Sequence, residues 1–324
     1  ILLFIITFDV IRRVTGHSFF MKYRYPAMLH TMPKNLVIFG GFAIGLILMV
    51  SIYGVLHARR VYVRQDPVVI EKSSSLPGLK IALIADLHLG YNSTKSHVRK
   101  IVDTINSQNV DLVCIAGDLF DNDYNAIKDP DEVADILSDI KSRYGTYACW
   151  GNHDVSEKIL AGFTFPQKET IVRDGRFTEF LHHAGITMLE DETVCINNAF
   201  YLVGRRDKDM AKKEQLPRKT FAEITEPLDP SLPIIVMDHQ PGELSEASDA
   251  GVDLDLSGHT HDGQMFPANL VVHFLWENAC GVLKKGAMTS IVTSGAGVWG
   301  PAMRVGTNNE VVIANVSFDP ATDQ

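Results

Sequence analysis

The chain has 324 residues, 46% hydrophobic and 21% charged, which is enough apolar content to fold most of its length and too much for a disordered tail. Its net charge of −9 is unevenly spread: residues 1–76 carry nine Lys/Arg against three Asp/Glu, and residues 77–324 carry 21 against 36. An acidic body argues against general nucleic-acid binding, which needs positive charge to displace phosphate counterions, and four scattered cysteines exclude a disulfide scaffold and a CxxC zinc site.

The basic front end reads as a membrane region over residues 1–60. Leu36–Leu56, LVIFGGFAIGLILMVSIYGVL, runs 21 residues without a charge. At ~1.5 Å per residue that matches the thickness of a bilayer core. A buried core helix of this length would usually carry a polar face. Residues 1–11, ILLFIITFDVI, resemble the tail of an earlier apolar helix, and the chain opens on Ile, so it is expected to be a piece of a longer one. No small-residue cleavage site follows the run at Leu36, which argues against a cleaved leader. Arg12, Arg13, Lys22, Arg24 and Lys34 precede the span; Arg59, Arg60, Arg64 and Lys72 follow it. By the positive-inside rule, five against four favours a cytoplasmic first loop and a following domain on the outer (periplasmic or extracellular) side, with Arg59 and Arg60 as a cytoplasmic stop signal the alternative. Residues 61–78, ending in EKSSSLPG, are expected to form a linker, and residues 79–318 the folded domain.

That domain alternates strand and helix. KIALIA at 80–85, DLVCIA at 111–116 and TYACW at 146–150 are short apolar runs of buried-strand type. Between them, Val98, Ile101, Val102 and Ile105 repeat at helical spacing after Ser93 and Thr94, and Val133, Ile136, Leu137 and Ile140 do so after Asp129-Pro130. Phe177, Phe180, Leu181 and Ala184 mark a further helix ended by Gly185. Strands then dominate: 187–189, 193–196, 200–203, 234–237, 254–256, 290–293 and 311–316, with Asn197-Asn198 as a hairpin turn. The pattern predicts two packed sheets with helices outside.

Five strand ends carry metal-type ligands. The first strand runs into Asp86-Leu87-His88, the second into Gly117-Asp118, and the third into Gly151-Asn152-His153-Asp154. The strand at 234–237 runs into Asp238-His239, and that at 254–256 into Ser257-Gly258-His259-Thr260-His261. Sites in α/β folds form beyond the carboxyl ends of strands. Taken singly these groups are commonplace: DxH and Gly-Asp occur widely, and His239 alone would read as a surface or satisfied core residue. Together they place carboxylate, imidazole and amide groups where they can converge, with glycines at 117, 151 and 258 allowing close backbone approach.

The series Asp86-x-His88, Gly117-Asp118, Gly151-Asn152-His153-Asp154, His239 and Gly258-His259-x-His261 resembles the calcineurin-like metallophosphoesterase superfamily. The gaps fit, with 28 residues between His88 and Gly117 and 32 between Asp118 and Gly151, and the runs GHTHDGQMFP and TSGAGVWGPAMRVG look like its membrane-anchored branch. The resemblance covers about residues 79–318 and implies an α/β two-sheet metallophosphoesterase sandwich flanked by helices. One departure is Gly204-Arg205-Arg206-Asp207, more basic than the family pattern at that place.

The resemblance further implies that Asp86, His88, Asp118 and His261 hold one divalent ion and Asp118, Asn152, His239 and His259 a second, with Asp118 bridging. Mixed nitrogen and oxygen donors suit Mn²⁺, Fe or Zn²⁺. The implied reaction is in-line attack on phosphorus by a hydroxide shared between the ions. In it His153 serves the leaving oxygen, and Asp154 is expected to hold the His153 ring, with an N-cap as its alternative role. The expected substrate is a phosphodiester, pyrophosphate or phosphomonoester. A lipid-linked one, such as a phospholipid or a UDP-diacylglucosamine-type glycolipid, would suit the anchor. Two alternatives stand beside this reading: a catalytically silent membrane binding protein on the same fold, and a phosphatase of soluble phosphomonoesters or cyclic nucleotides. The basic stretch from Arg205 to Lys219 is expected to be a solvated loop, with contact to anionic lipid headgroups or a phosphate leaving group as the alternative, and NLVVHFLW at 269–276 a packed helix, with an apolar lip as the alternative.

Overall fold

The computed structural model describes residues 34–157, 159–160, 163–164 and 173–319. The apolar run at 1–11 and the basic residues from Arg12 to Arg24 lie outside the described residues. Helix α1 (Lys34–Ala58) contains the expected span. Its stretch Ile38–Ala58 has a mean hydropathy of 2.2, is only 6% buried and is long and apolar enough to cross a bilayer. From Val50 onward its residues belong to the same compact unit as the rest of the chain.

Two six-stranded mixed sheets follow. The first has the order β1 (Val61–Ile70), β14 (Asn309–Phe318), β2 (Leu79–Ile84), β3 (Leu112–Ala116), β4 (Thr146–Cys149), β7 (Ile186–Met188). The second has the order β12 (Gly281–Lys285), β13 (Met288–Val292), β11 (Leu254–Ser257), β10 (Ile234–Met237), β9 (Phe200–Gly204), β8 (Glu192–Ile196). A small hairpin pairs β5 (Ile159–Leu160) with β6 (Phe163–Thr164). Helices α2 (Lys95–Ser107), α3 (Pro130–Ser138) and α4 (Gly175–His183) cover the first sheet; α6 (Phe221–Thr225) and α7 (Leu244–Asp249) cover the second. Thr94 caps α2, accepting the His97 N–H, so the helix starts directly after the Ser/Thr pair that signals it.

Strand alternation explains the layers. In β2, Ile81 and Leu83 join the core between the sheets with Leu112, Cys114, Ile235, Met237, Leu254 and Leu256. Ala82 and Ile84 point the other way and meet Val98, Ile101, Val102 and Ile105 of α2. The strands are buried on both faces, which is why they read as continuous apolar runs. Because β2, β3 and β4 run parallel in one sheet and β10 and β11 in the other, their carboxyl ends gather the five ligand-bearing loops.

Part of the expected linker is structured. Residues 61–70 form β1, paired in parallel with β14 from Val61↔Asn309 to Ile70↔Phe318. Pro67 and the charges of Arg64 and Asp66 hide this strand, since proline is tolerated only at a sheet edge. Arg64 is held in place: its guanidinium donates to Asp66 at 2.9 Å, Glu310 at 2.7 Å and the Val292 carbonyl at 3.0 Å. Only Arg59 and Arg60 separate α1 from β1.

The basic stretch after β9 is also not a free loop. Arg205 is 2% exposed and pairs with Asp238 and Glu243; Arg218 pairs with the same two carboxylates, and Arg206 with Glu190. It contains helix α5 (Lys208–Glu214), capped by Asp207. Lys208, Lys212 and Lys219 are exposed as expected; the arginines read as solvated because their acidic partners are distant in sequence.

Candidate metal centre

The seven residues expected to ligate metal lie in one cluster built from the five strand-end loops, five of them buried and Asn152 and His259 partly exposed. Asp86, His88, Asp118, His259 and His261 all have φ between 44° and 71°, a left-handed conformation unusual outside glycine. Each such residue costs on the order of 1–3 kcal/mol, which the surrounding sheets must hold in place. Gly117 permits the closeness: a Cβ there would stand 2.5 Å from His239 Nδ1.

On one side, His88 Nε2 and His261 Nε2 lie 3.0 Å apart with their rings stacked, and Asp86 Oδ1 lies 3.6 Å from His261 Nε2. On the other, His239 Nε2 is 3.1 Å from Asp118 Oδ2, 3.1 Å from Asn152 Oδ1 and 3.3 Å from His259 Nδ1. Asp118 Oδ2 also stands 3.8 Å from His88 Nε2, so this one oxygen faces both groups. Its other oxygen accepts the His153 N–H at 2.8 Å.

The donor set fits cations. His239 Nδ1 donates to the Ala116 carbonyl at 2.8 Å, so in a neutral ring Nε2 presents a lone pair. That lone pair faces a carboxylate oxygen, an amide oxygen and another ring nitrogen, all of them electron donors. His88 and His261 likewise aim two ring nitrogens at each other. His88 Nδ1 is buried without a hydrogen bond and lies 3.6 Å from Asp121 Oδ1, so Asp121 stands behind this ring as an orienting carboxylate would. Oxygen and imidazole nitrogen without thiolate suit Mn, Fe or Zn.

Protonation follows the crowding. Burial opposes charge on His239, but the Asp118 carboxylate outweighs it and raises that imidazole well above its usual range. Burial likewise works against the Asp118 carboxylate, yet His239 and His153 hold it well below. Burial raises Asp86 to about 6 and, reinforced by His239, lowers His259 to about 3.

His153 lies at the mouth, a cavity of about 280 Å³ lined also by Asp118, His259, Thr260, His261, Gly263, Gln264 and Trp299. Burial lowers it to about 4. The expected Asp154–His153 pair is not formed. The Asp154 carboxylate, 0% exposed, accepts the Phe120 N–H at 2.8 Å and the Gly151 N–H at 2.7 Å. It thereby ties the loops after β3 and β4 together, and burial raises it to about 7. Asn122 takes the place beside His153, with its Oδ1 2.6 Å from His153 Nδ1. The Asn122 amide donates to the Val155 carbonyl and to Glu157, so its oxygen is the atom turned to the ring.

Three supports have only weak sequence signals. Asp121 sits three residues after Asp118, a spacing that could have drawn notice. Arg304, 0% exposed, donates to the carbonyls of His261, Ser294 and Gly297 and to Asn309 Oδ1, fixing the loop behind His261. Lys213 donates to the Asn152 carbonyl at 2.9 Å and to Glu157 at 2.8 Å, bringing a cation from the basic stretch to the rim.

Comparison with known proteins places these features in a family. A protein described as an uncharacterized metallophosphoesterase from Helicobacter pylori is 32% identical over 77% of this chain and 62% of its own length. A transmembrane protein with metallophosphoesterase domain from Danio rerio is 28% identical over 81% of this chain and 59% of its own. The UDP-2,3-diacylglucosamine pyrophosphatase LpxG of Chlamydia muridarum is 24% identical over 60% of this chain and 67% of its own. The chain thus spans about three fifths of the Helicobacter and Danio proteins. The family model for calcineurin-like phosphoesterases matches residues 79–263, and with the two-sheet sandwich and the gathered strand-end loops, this chain belongs to that family.

Proposed function

We propose that this chain is a membrane-anchored phosphoesterase that uses two divalent ions. The observation that carries the reading is the convergence of seven nitrogen and oxygen donors around Asp118, beside a mouth lined by His153. Asp86, His88, Asp118 and His261 would hold one ion; Asp118, Asn152, His239 and His259 the other. When bound, the ions would supply positive charge for phosphoryl oxygens and lower the pKa of water.

The chain's own groups do the rest. Asn122 holds a proton on His153 Nδ1, so Nε2 is the atom that can take up a second proton and deliver it to the leaving oxygen. Burial makes the charged ring unfavourable in the free protein, and an anionic phosphoryl group in the mouth offsets that cost. Asp118 Oδ1 holds the His153 backbone, coupling ring position to the ligand cluster.

The substrate in this reading is a phosphodiester or pyrophosphate carried on a lipid. Helix α1 supports membrane association, and the Chlamydia relative is described as a pyrophosphatase of an acylated sugar nucleotide. We place the domain on the outer side. Arg64 and Lys72 pair with Glu310 and Asp253 inside the fold, which leaves Arg59 and Arg60 as flanking charges against five before the span.

The test is hydrolysis by the purified full chain with metal content measured alongside. Bis-nitrophenyl phosphate, nitrophenyl phosphate and a vesicle-borne lipid pyrophosphate should be compared with Mn²⁺, Fe²⁺ and Zn²⁺. Two ions per chain and turnover of the diester or pyrophosphate are expected. Bound metal without turnover of any ester would favour a silent binding protein, and turnover confined to the monoester would overturn the lipid-linked assignment.

A further inference from the structure

Helix α8 (Ala268–Leu275) turns its apolar side chains outward. Leu270, Val271, Phe274 and Leu275 are 55, 54, 89 and 73% exposed, and Phe266 just before them is 61% exposed. Of this helix only Val272 is buried. The exposed residues recur at helical spacing, so they form one stripe rather than scattered singles. The other side of α8 meets the metal centre. His273 Nε2 bonds Asp262 Oδ1 at 2.9 Å, and the Trp276 ring beyond the helix lies 5.3 Å from the His259 ring.

The stripe begins near Gly54, close to the end of α1. Phe266 donates its N–H to the Val305 carbonyl at 2.8 Å, and Arg304 donates its own to the Gly54 carbonyl at 3.0 Å. Val305 packs so closely that a Cβ on Gly54 would stand 3.0 Å from its Cγ2. One short segment, residues 303–305, therefore separates α1 from the start of α8. Gly54 lies four residues before the end of α1, a rise of ~6 Å. That is the depth at which hydrocarbon gives way to headgroups, where interfacial helices bury an apolar face by ~5–10 Å.

We propose that α8 is an interfacial helix that lies in the same leaflet as the end of α1, and that the partner its apolar stripe fits is the lipid surface. The inference rests on the reading of α1 as a membrane span. Its consequence is positional. Through His273–Asp262 and Trp276–His259, α8 joins the bilayer surface to the mouth of the ligand cluster, so a phosphoester carried on a lipid can reach His153 while its acyl chains stay in the leaflet.

The test uses the full chain reconstituted in vesicles of phosphatidylcholine and phosphatidylglycerol. With Cys195 and Cys280 changed to Ser, and Cys114 and Cys149 fully buried, the cysteine introduced by Phe274→Cys is the accessible thiol that carries an environment-sensitive fluorophore. Glu179→Cys, on the exposed side of α4 beside the edge strand β7, carries the same label as a control. Lipid with a quencher near the glycerol end of its acyl chain should lower emission from position 274 about twofold and leave position 179 unchanged. Leu270→Cys provides a second position should Phe274→Cys fail to fold. Emission at 274 and 270 as water-like and unquenched as at 179 would overturn the proposal. So would emission that depends on protein density and not on quencher lipid, which would mean that a second copy covers the stripe. The readout is fluorescence, so a chain that hydrolyses no ester can still show the insertion, and an active chain can lack it.

Discussion

His153 Nδ1 lies 2.6 Å from Asn122 Oδ1, and this contact fixes which ring nitrogen of His153 carries the proton. Asn122 is itself 1% exposed and held by the Val155 carbonyl and Glu157, so it cannot rotate freely to offer its amide instead. Removing the partner, in Asn122→Ala, should lower turnover by about 10–100-fold with metal content unchanged. Asn122→Asp, which still accepts from the ring, should recover part of the loss. Metal loss in either variant would mean that Asn122 shapes the ligand cluster and not the ring.

His153→Ala should lower turnover by about 10²–10⁴-fold on substrates with alkyl leaving groups. The loss should shrink for nitrophenyl esters, whose leaving oxygen needs little protonation. Equal losses across the leaving-group series, measured at saturating substrate, would remove the proton-donor role.

Asp118→Asn should abolish turnover and strip metal from both sites: Asp118 Oδ2 faces both His88 and His239, and a neutral amide there cannot offset the charge of the two cations those groups would hold. Elemental analysis decides it: two ions retained per chain with normal turnover would exclude a bridging Asp118.

Arg304→Met should destabilise the fold strongly. The carbonyls of His261, Ser294 and Gly297 lose their donor, at about 1–3 kcal/mol for each left unsatisfied. Arg304→Lys should recover little, since an ammonium cannot reach the spread of acceptors that a planar guanidinium meets. Thermal melts of metal-free protein separate this effect from ligand loss; a wild-type melt for Arg304→Met would contradict it.

Strand β1 gives a truncation test. A chain starting at Arg60 keeps the strand, whereas one starting at Leu76 exposes the edge of β14 and leaves the buried Glu310 without Arg64. The shorter chain should melt about 5–10 °C lower than the longer one. Coincident melts would show that β1 contributes nothing to the folded domain.

Asp255 predicts a pH dependence. Its carboxyl accepts from Ser257 and Ser290 inside the second sheet, and burial, with Asp238 nearby, pushes it up to about 7. Unfolded, it would titrate near 3.9. Between those values the folded chain binds the extra proton, so this group's contribution to stability falls as pH rises from about 4 to about 7 and is flat above. Asp255→Asn keeps an oxygen for both hydroxyls and removes the titration. Its melt should exceed the wild type's by more at about pH 8 than at about pH 5; a gap independent of pH would exclude the shift.

The ligand-bearing loops were legible in the sequence for a local reason. A buried parallel strand must be apolar on both faces, so the polar residues that end each run stand out, and parallel strands in one sheet bring their carboxyl ends to one edge. The span at α1 was equally legible, because length and lack of charge are properties of one segment. What the sequence left open depends on pairings between distant residues. β1 became a strand only because β14, about 250 positions later, offers it an edge and Glu310 receives Arg64. Arg205 and Arg218 of the basic stretch after β9 are held in an ion-pair network because Asp238, at the end of β10, and Glu243, just before α7, meet them, while Lys208, Lys212 and Lys219 stay exposed. Asp154 stands next to His153 in sequence, yet the turn aims its carboxylate at two backbone N–H groups and leaves the ring to Asn122, 31 residues earlier. The NLVVHFLW run could have been core or surface by composition alone. Its exposure, and its place one short segment away from Gly54, follow from which distant residues pack beside it, which no local pattern encodes.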